Sequence, residues 1–152
     1  MSAVQETLQH RQHWLGLLAR APHDRLIALC NDAGLQAGFD WLRQPEIGTV
    51  MIRGRAGATG APFNLGEMTV TRAALQLQSG EVGHGHVQGR SKPAAECAAL
   101  VDALMQTDRA ADLTTRILDP IAAELRGKAA TRAQKAAATK VEFFTLVRGE
   151  DQ

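Results

Sequence analysis

The chain has 152 residues, with 17 Lys plus Arg against 16 Asp plus Glu and a formal net charge of +1, which excludes the global field that draws a protein to nucleic acid or an anionic membrane. That length suits one domain, residues 1–152, able to bury about 70% of its unfolded surface without disulfide or metal staples. No run approaches the ~18 apolar residues of a membrane span, and no positive n-region precedes an apolar core, so a cytoplasmic protein is expected.

Val4, Leu8, Trp14, Leu15 and Leu18 recur at helical spacing and predict an amphipathic helix over residues 3–19, stopped near Pro22. Leu26, Ile27 and Cys30 give a shorter second helix its apolar face, with Gly34 as a left-handed stop. Phe39 and Trp41 then alternate with polar neighbours, Gln44-Pro45-Glu46-Ile47-Gly48 supplies turn chemistry, and residues 49–55 resume an extended pattern. A hairpin is the expectation.

Residues 67–78 and 82–88 predict a second hairpin around Ser79-Gly80. The apolar phase moves from Met68 and Val70 to Ala73, Leu75 and Leu77, which a bulge near Arg72 or burial of both faces would explain. A two-residue loop would set Leu77 opposite Val82, Leu75 opposite His84 and Ala73 opposite His86. Gly83 and Gly85 would then leave a nearly bare face, open to another backbone or subunit.

Pro93 fits the first turn of a helix, and Cys97, Leu100, Val101, Leu104 and Met105 fall at i, i+3, i+4, i+7 and i+8. Leu113, Ile117 and Leu118 continue helically to Asp119-Pro120, where a further helix should open with Ile121 and Leu125. Its alanine-rich continuation carries Arg126, Lys128, Arg132, Lys135 and Lys140 against only Glu124. That is either a solvated face or a surface for an acidic partner or phosphate. Val141, Phe143 and Val147 alternate in a final strand, with Phe144 and Leu146 on its other side. The sum is an α+β fold, a mostly antiparallel sheet of about four or five strands with N-terminal and central helices on it.

The residues with chemistry cluster in 53–77, where Gly54, Gly57, Gly60 and Gly66 stand among Arg53, Arg55 and Arg72. Glycines let a ligand approach the main chain, and guanidinium forks suit phosphate or carboxylate. Arg53, Arg55, Thr59, Gly60 and Arg72 are therefore the candidate ligand-binding set, although Ala61-Pro62 follows the loop where a Walker motif needs Lys and Ser/Thr. His84 and His86 share a strand face with Glu67 as the sole third ligand in view, and His10 and His13 lie one helical turn apart. Zinc takes three or four ligands, so no metal is assigned. Cys30 and Cys97 lack metal or redox spacing and read as buried free thiols. Asp40, Glu46 and Glu67 are scattered, there is no GxSxG and no tyrosine, and no catalytic residue is assigned.

Four blocks, RQHWLGLLA (11–19), GRAGATGAPFNLGEMTVTRAALQL (54–77), VQGRSKPAAECAALVDALMQ (87–106) and VEFFTLVRG (141–149), together resemble the PhnG family. Its members are the small subunit of the bacterial carbon-phosphorus lyase core complex, which degrades phosphonates. The resemblance implies a subunit of α-D-ribose 1-methylphosphonate 5-triphosphate synthase, which joins ATP and methylphosphonate and releases adenine. It also implies PhnH, PhnI and PhnJ as partners, with PhnL assisting. PhnI is then the main candidate for displacing adenine, and PhnJ carries the iron-sulfur radical chemistry that later cleaves the carbon-phosphorus bond. The chain itself would organise PhnI and PhnJ, binding no cofactor alone, while ATP is a substrate of the complex. One alternative puts Arg53, Arg55 and Thr59 at the triphosphate, and another makes the chain an independent phosphate-binding module. Freed of its partners, the chain is expected to self-associate through Gly83, Gly85 and the apolar residues 141–147.

Overall fold

The computed structural model describes residues 3–140. Its elements are α1 (Ala3–Arg20), α2 (His23–Asp32), β1 (Phe39–Arg55), β2 (Pro62–Leu77), β3 (Val82–Gln88), α3 (Lys92–Leu104), α4 (Ala110–Leu113) and α5 (Asp119–Ala138). A π turn, Thr114–Leu118, joins α4 to α5. The strands form one antiparallel sheet in the order β1-β2-β3. The α+β class is as expected, but the described residues hold three strands; the strand expected at 141–149 lies outside them.

The helices follow the apolar period. Pro22 has no amide to continue α1 and sits just before α2, which closes on Gly34 at φ 59°. Ser91 caps α3 by accepting from Ala94 N at 3.2 Å, with Pro93 in the first turn. α5 needs no cap, because helical backbone runs through Leu118 and Asp119 from the π turn. Leu18, Leu26, Leu75, Val101, Leu113, Ile117 and Ile121 are fully buried and join the helices to one face of the sheet.

The first expected hairpin is absent. β1 runs unbroken from Phe39 to Arg55 against β2, with register shifts between Trp41 and Arg43, between Arg43 and Glu46, and between Ile52 and Arg53. The residues that looked like a turn are absorbed as irregularities, and Pro45 is tolerated because β1 is an edge strand with one row of amides unpaired.

The second hairpin exists one residue out of the expected register. Its loop is three residues, Gln78-Ser79-Gly80: Leu77 N donates to Glu81 O at 2.9 Å, Gly80 N donates to Leu77 O at 2.9 Å, and Gly80 takes φ 109°. Leu75 therefore opposes Gly83, Ala73 opposes Gly85, and His84 and His86 oppose Ala74 and Arg72. A slip of one residue exchanges the faces. The two glycines consequently lie in the core rather than on a bare outer face, and the backbone that approaches them is α3 of the same chain. A Cβ at Gly83 would lie 2.0 Å from Ala99 O, and one at Gly85 1.9 Å from Ala95 O. The phase change in β2 needs no bulge there, since Val70 and Thr71 are both fully buried on opposite faces.

The outer edge of β3 is closed by side chains. Arg11 Nη2 and Gln106 Nε2 donate to Val82 O at 2.9 and 2.8 Å, His84 N donates to Asp102 Oδ2 at 2.8 Å, and His23 Nε2 bonds Gln88 O at 2.6 Å. Two carbonyls and one amide of this edge, which would otherwise be open to another strand, are thereby occupied.

Candidate functional site

β3 pairs with β2 only over Val70 to Gln76. From the pair Thr49–Thr69 to the pair Arg55–Pro62, β1 and β2 continue alone as a two-stranded arm, roughly 20 Å long at the usual rise per residue. The arm and its base carry Ile47, Met51, Phe63 and Leu65 at 48%, 52%, 45% and 63% exposure. Leu65 is the residue left over where the register shifts, since Ile52 pairs with Gly66 and Arg53 with Asn64. Gly54 sits beneath Phe63 and Leu65, where a Cβ would be 3.7 Å from the Phe63 ring and 3.8 Å from Leu65. Two-stranded ribbons are marginal in water by themselves. An apolar ribbon held out from the core is thus a surface waiting for cover.

The tip of the arm holds four of the five expected ligand-binding residues. A 3-10 turn, Ala56–Ala58, joins the strands, with Gly57 at φ 57° and Ala58 at φ 66°. Ala58 is a non-glycine residue in the left-handed region, a local strain. Thr59 N and Thr59 Oγ1 both donate to Gly57 O, at 2.8 and 3.5 Å, and Gly60 N donates to Ala56 O at 2.8 Å. Arg55 Nη1 donates to Gly60 O at 3.1 Å, holding the guanidinium across the loop. Gly60 needs no positive φ; it is glycine for space, because a Cβ there would lie 2.6 Å from Ala56 O. Arg53 and Arg55 are exposed, alternate along one side of β1, and form no ion pair among the described residues.

Arg72 is elsewhere. It lies ten residues along β2 from Pro62, roughly 33 Å from the tip, and donates through Nε to Glu46 Oε1 at 2.9 Å. Arg43 contacts the same carboxylate at 3.3 Å. The structure therefore brings Arg53, Arg55, Thr59 and Gly60 together and leaves Arg72 in a separate ion-paired group.

A second concentration of polar chemistry lies inside the molecule. Asp102, fully buried on α3, accepts from Arg11 Nε at 3.1 Å, Arg11 Nη2 at 2.7 Å, Trp14 Nε1 at 2.8 Å and His84 N at 2.8 Å. A carboxylate offers about four lone-pair directions, so this one has none left for a substrate. Its work is to lock α1, β3 and α3 together. Arg11, Trp14 and Asp102 all fall within the blocks that carry the PhnG resemblance, yet their meeting was not foreseen; the available signal was a lone aspartate amid the apolar stripe of α3.

His84 and His86 point away from α3 and line an apolar cavity of about 450 Å³ with Leu15, Gly16, Ala19, Met68, Val70 and Gln88. Glu67, the third ligand considered, is on the opposite face of β2, in register with Met51. Among the described residues no group of three or more His, Cys, Asp or Glu converges as a metal site. His10 and His13 are exposed on α1. Cys30 and Cys97 are free thiols that meet between α2 and α3; the hydrogen bond to Cys97, and then burial, hold the Cys30 thiol far above the ordinary thiol range.

No described helix is long and apolar enough to cross a membrane. The model of the phosphonate metabolism protein PhnG matches residues 9–149. A Rhizobium meliloti (strain 1021) protein, the alpha-D-ribose 1-methylphosphonate 5-triphosphate synthase subunit PhnG, is 42% identical over 141 residues, which cover 93% of this chain and 90% of that protein. A match on that scale reaches from α1 past α5 and takes in both the projecting arm and the buried Asp102 cluster, so this chain belongs to the PhnG family.

Proposed function

We propose that this chain is a subunit of α-D-ribose 1-methylphosphonate 5-triphosphate synthase, acting in the cytoplasm as an assembly element rather than as the group that displaces adenine. The observation that carries this reading is the arm, which exposes Met51, Phe63 and Leu65 outside the buried core of the described residues. Covering the roughly half of each side chain that is exposed is worth about 1 kcal/mol each by transfer from water. Partners of the PhnI and PhnJ kind, with PhnH in the same assembly and PhnL assisting, are the subunits that would cover it. Without them the arm is the surface through which the isolated chain self-associates, a role expected earlier of Gly83 and Gly85.

The test is co-expression with the partner subunits followed by size exclusion and an adenine-release assay with ATP and methylphosphonate. The Phe63→Asp/Leu65→Asp chain should keep its fold, judged by circular dichroism, and fail to co-elute with the partners. Normal assembly by that variant, or adenine release by the wild-type chain alone, overturns the reading.

A second reading has its own observation: Arg53 and Arg55 form no ion pair among the described residues, and one nitrogen of the Arg55 fork is bonded to Gly60 O. In it, the arm reaches into a partner and presents Arg53, Arg55 and Thr59 to the triphosphate. Docking and ligand contact then belong to the same arm and are separated by variants that remove one at a time.

A further inference from the structure

Part of the exposed basic run on α5 borders a cavity. Where α5 passes the end of α1, Arg20, Lys128 and Arg132 line a cavity of about 430 Å³ together with Pro22, Gln88 and Leu125. Among the described residues no carboxylate lines it. Glu124, one turn before Lys128 on α5, is already engaged by Lys128 Nζ at 2.9 Å and Arg25 Nε at 3.9 Å. Of the three lining cations Lys128 is paired with Glu124, which leaves Arg20 and Arg132 without a carboxylate partner among the described residues.

The geometry is specific in a way that a solvated helix face is not. The three lining cations come from two elements, with Lys128 and Arg132 one turn apart on α5 and Arg20 at the last turn of α1. Arg20 is steadied by donating Nε to Gly16 O at 2.9 Å, which leaves its terminal nitrogens free to turn to the cavity. Arg132 has no ion pair among the described residues. Guanidinium forks recognise planar or tetrahedral oxyanions by paired N–H donors, and an ammonium adds a point charge. Leu125 and Pro22 provide an apolar wall that keeps the local field from being screened as fully as on an open surface.

We propose that the cavity between the end of α1 and the middle of α5 is a binding site for a small polyphosphate-type anion, held by Arg20, Lys128 and Arg132. Two guanidiniums without carboxylate partners beside an ammonium match a ligand with more than one phosphate group better than a single carboxylate does. The site is distinct from the tip of the arm, and it does not depend on the assembly reading.

The experiment is isothermal titration of the full chain with sodium tripolyphosphate at low and at physiological salt, with ATP and a poly-glutamate peptide as parallel ligands. Saturable binding of tripolyphosphate, weakening with salt and by at least about tenfold in Arg20→Gln/Arg132→Gln, is expected. Arg43→Gln, on β1 and ion-paired to Glu46, should leave it unchanged. Equal binding of ATP and tripolyphosphate supports a site that reads charge alone, while tighter ATP binding supports one that also takes the base; both fit the same phosphate chemistry. Because the substituted side chains are exposed, circular dichroism should report an intact fold. Absence of saturable binding overturns the proposal. So does binding untouched by the Arg20→Gln/Arg132→Gln pair, or tighter binding of poly-glutamate than of tripolyphosphate.

Discussion

Trp14 donates its indole N–H to Asp102 Oδ1 at 2.8 Å across 88 residues of chain, beside the two contacts that Arg11 makes to the same carboxylate. Both helical partners lie on α1, three residues apart, so a single turn of that helix grips a single buried charge on α3. His84 N completes the set from β3. Three elements that pack mainly through small or apolar residues are thereby fixed in one relative position, since a buried carboxylate that loses a donor has no water to replace it.

The first prediction follows from that saturation. Arg11→Ala leaves an uncompensated charge in the core and should destabilise the chain by about 3 kcal/mol, the low end of the range for breaking a buried pair because Arg11 is 28% exposed. Asp102→Ala should cost at least as much, stranding the indole N–H and the His84 amide. The paired replacement Arg11→Met/Asp102→Leu should be less damaging than the sum of the singles. Urea unfolding of the four proteins checks this. Singles within about 0.5 kcal/mol of wild type, the size of an ordinary surface substitution, would show that the cluster holds nothing together.

A second prediction concerns close approach of backbone to backbone. Gly85→Ala places a methyl group 1.9 Å from Ala95 O, and neither β3 nor α3 has room to yield. The loss should exceed the ~1–3 kcal/mol of ordinary overpacking. Gly66→Ala is the control, because nothing lies within 4 Å of its added Cβ and its φ is not positive. Thermal melts should show Gly85→Ala unfolded or lowered by many degrees, at about 2–4 °C per kcal/mol for a chain of this size, and Gly66→Ala unchanged. Equal midpoints would mean that α3 does not press on β3 as described.

These two cases mark what the sequence could and could not reveal. The helices were legible because a run such as Cys97, Leu100, Val101, Leu104 and Met105 needs only local spacing to declare a buried face. The existence of the β2–β3 hairpin was legible for the same reason. Its register was not, since a two-residue loop at Ser79-Gly80 and a three-residue loop at Gln78-Ser79-Gly80 suit the local residues equally and differ only in which face meets α3. The continuity of β1 through Pro45 was hidden because its irregularities depend on the partner strand. Arg53, Arg55, Thr59 and Gly60 were grouped correctly as neighbours in one loop. Arg72 was added on chemistry alone, and only the length of the ribbon reveals that it serves Glu46 instead. The Asp102 cluster joins residues 91 and 18 apart, beyond any local pattern.

The last prediction separates the two readings of the arm's tip. Gly60→Val drives a Cβ to within 2.6 Å of Ala56 O, the carbonyl that Gly60's own amide bonds, so the turn must open and the strands on either side of it must shift. If the arm is a docking element, that variant should lower the yield of assembled complex while whatever assembles keeps a normal dependence on ATP. Arg55→Ala removes the bridge from Nη1 to Gly60 O, an exposed contact of 3.1 Å worth little to folding, and should assemble normally. Its ATP dependence decides the matter. Loss of a charge-assisted contact to a triphosphate weakens binding by about 1.5–3 kcal/mol, on the order of tenfold or more, whereas loss of the loop bridge alone leaves ATP dependence unchanged. Measuring complex yield by size exclusion and adenine release against ATP concentration for both variants therefore gives two opposed patterns. We expect Gly60→Val to fail in assembly and Arg55→Ala to retain its ATP dependence, because the arm's exposed apolar side chains and its tightly bonded turn suit a docking element. An Arg55→Ala complex that forms in full yield yet requires tenfold more ATP would place the guanidinium on the triphosphate.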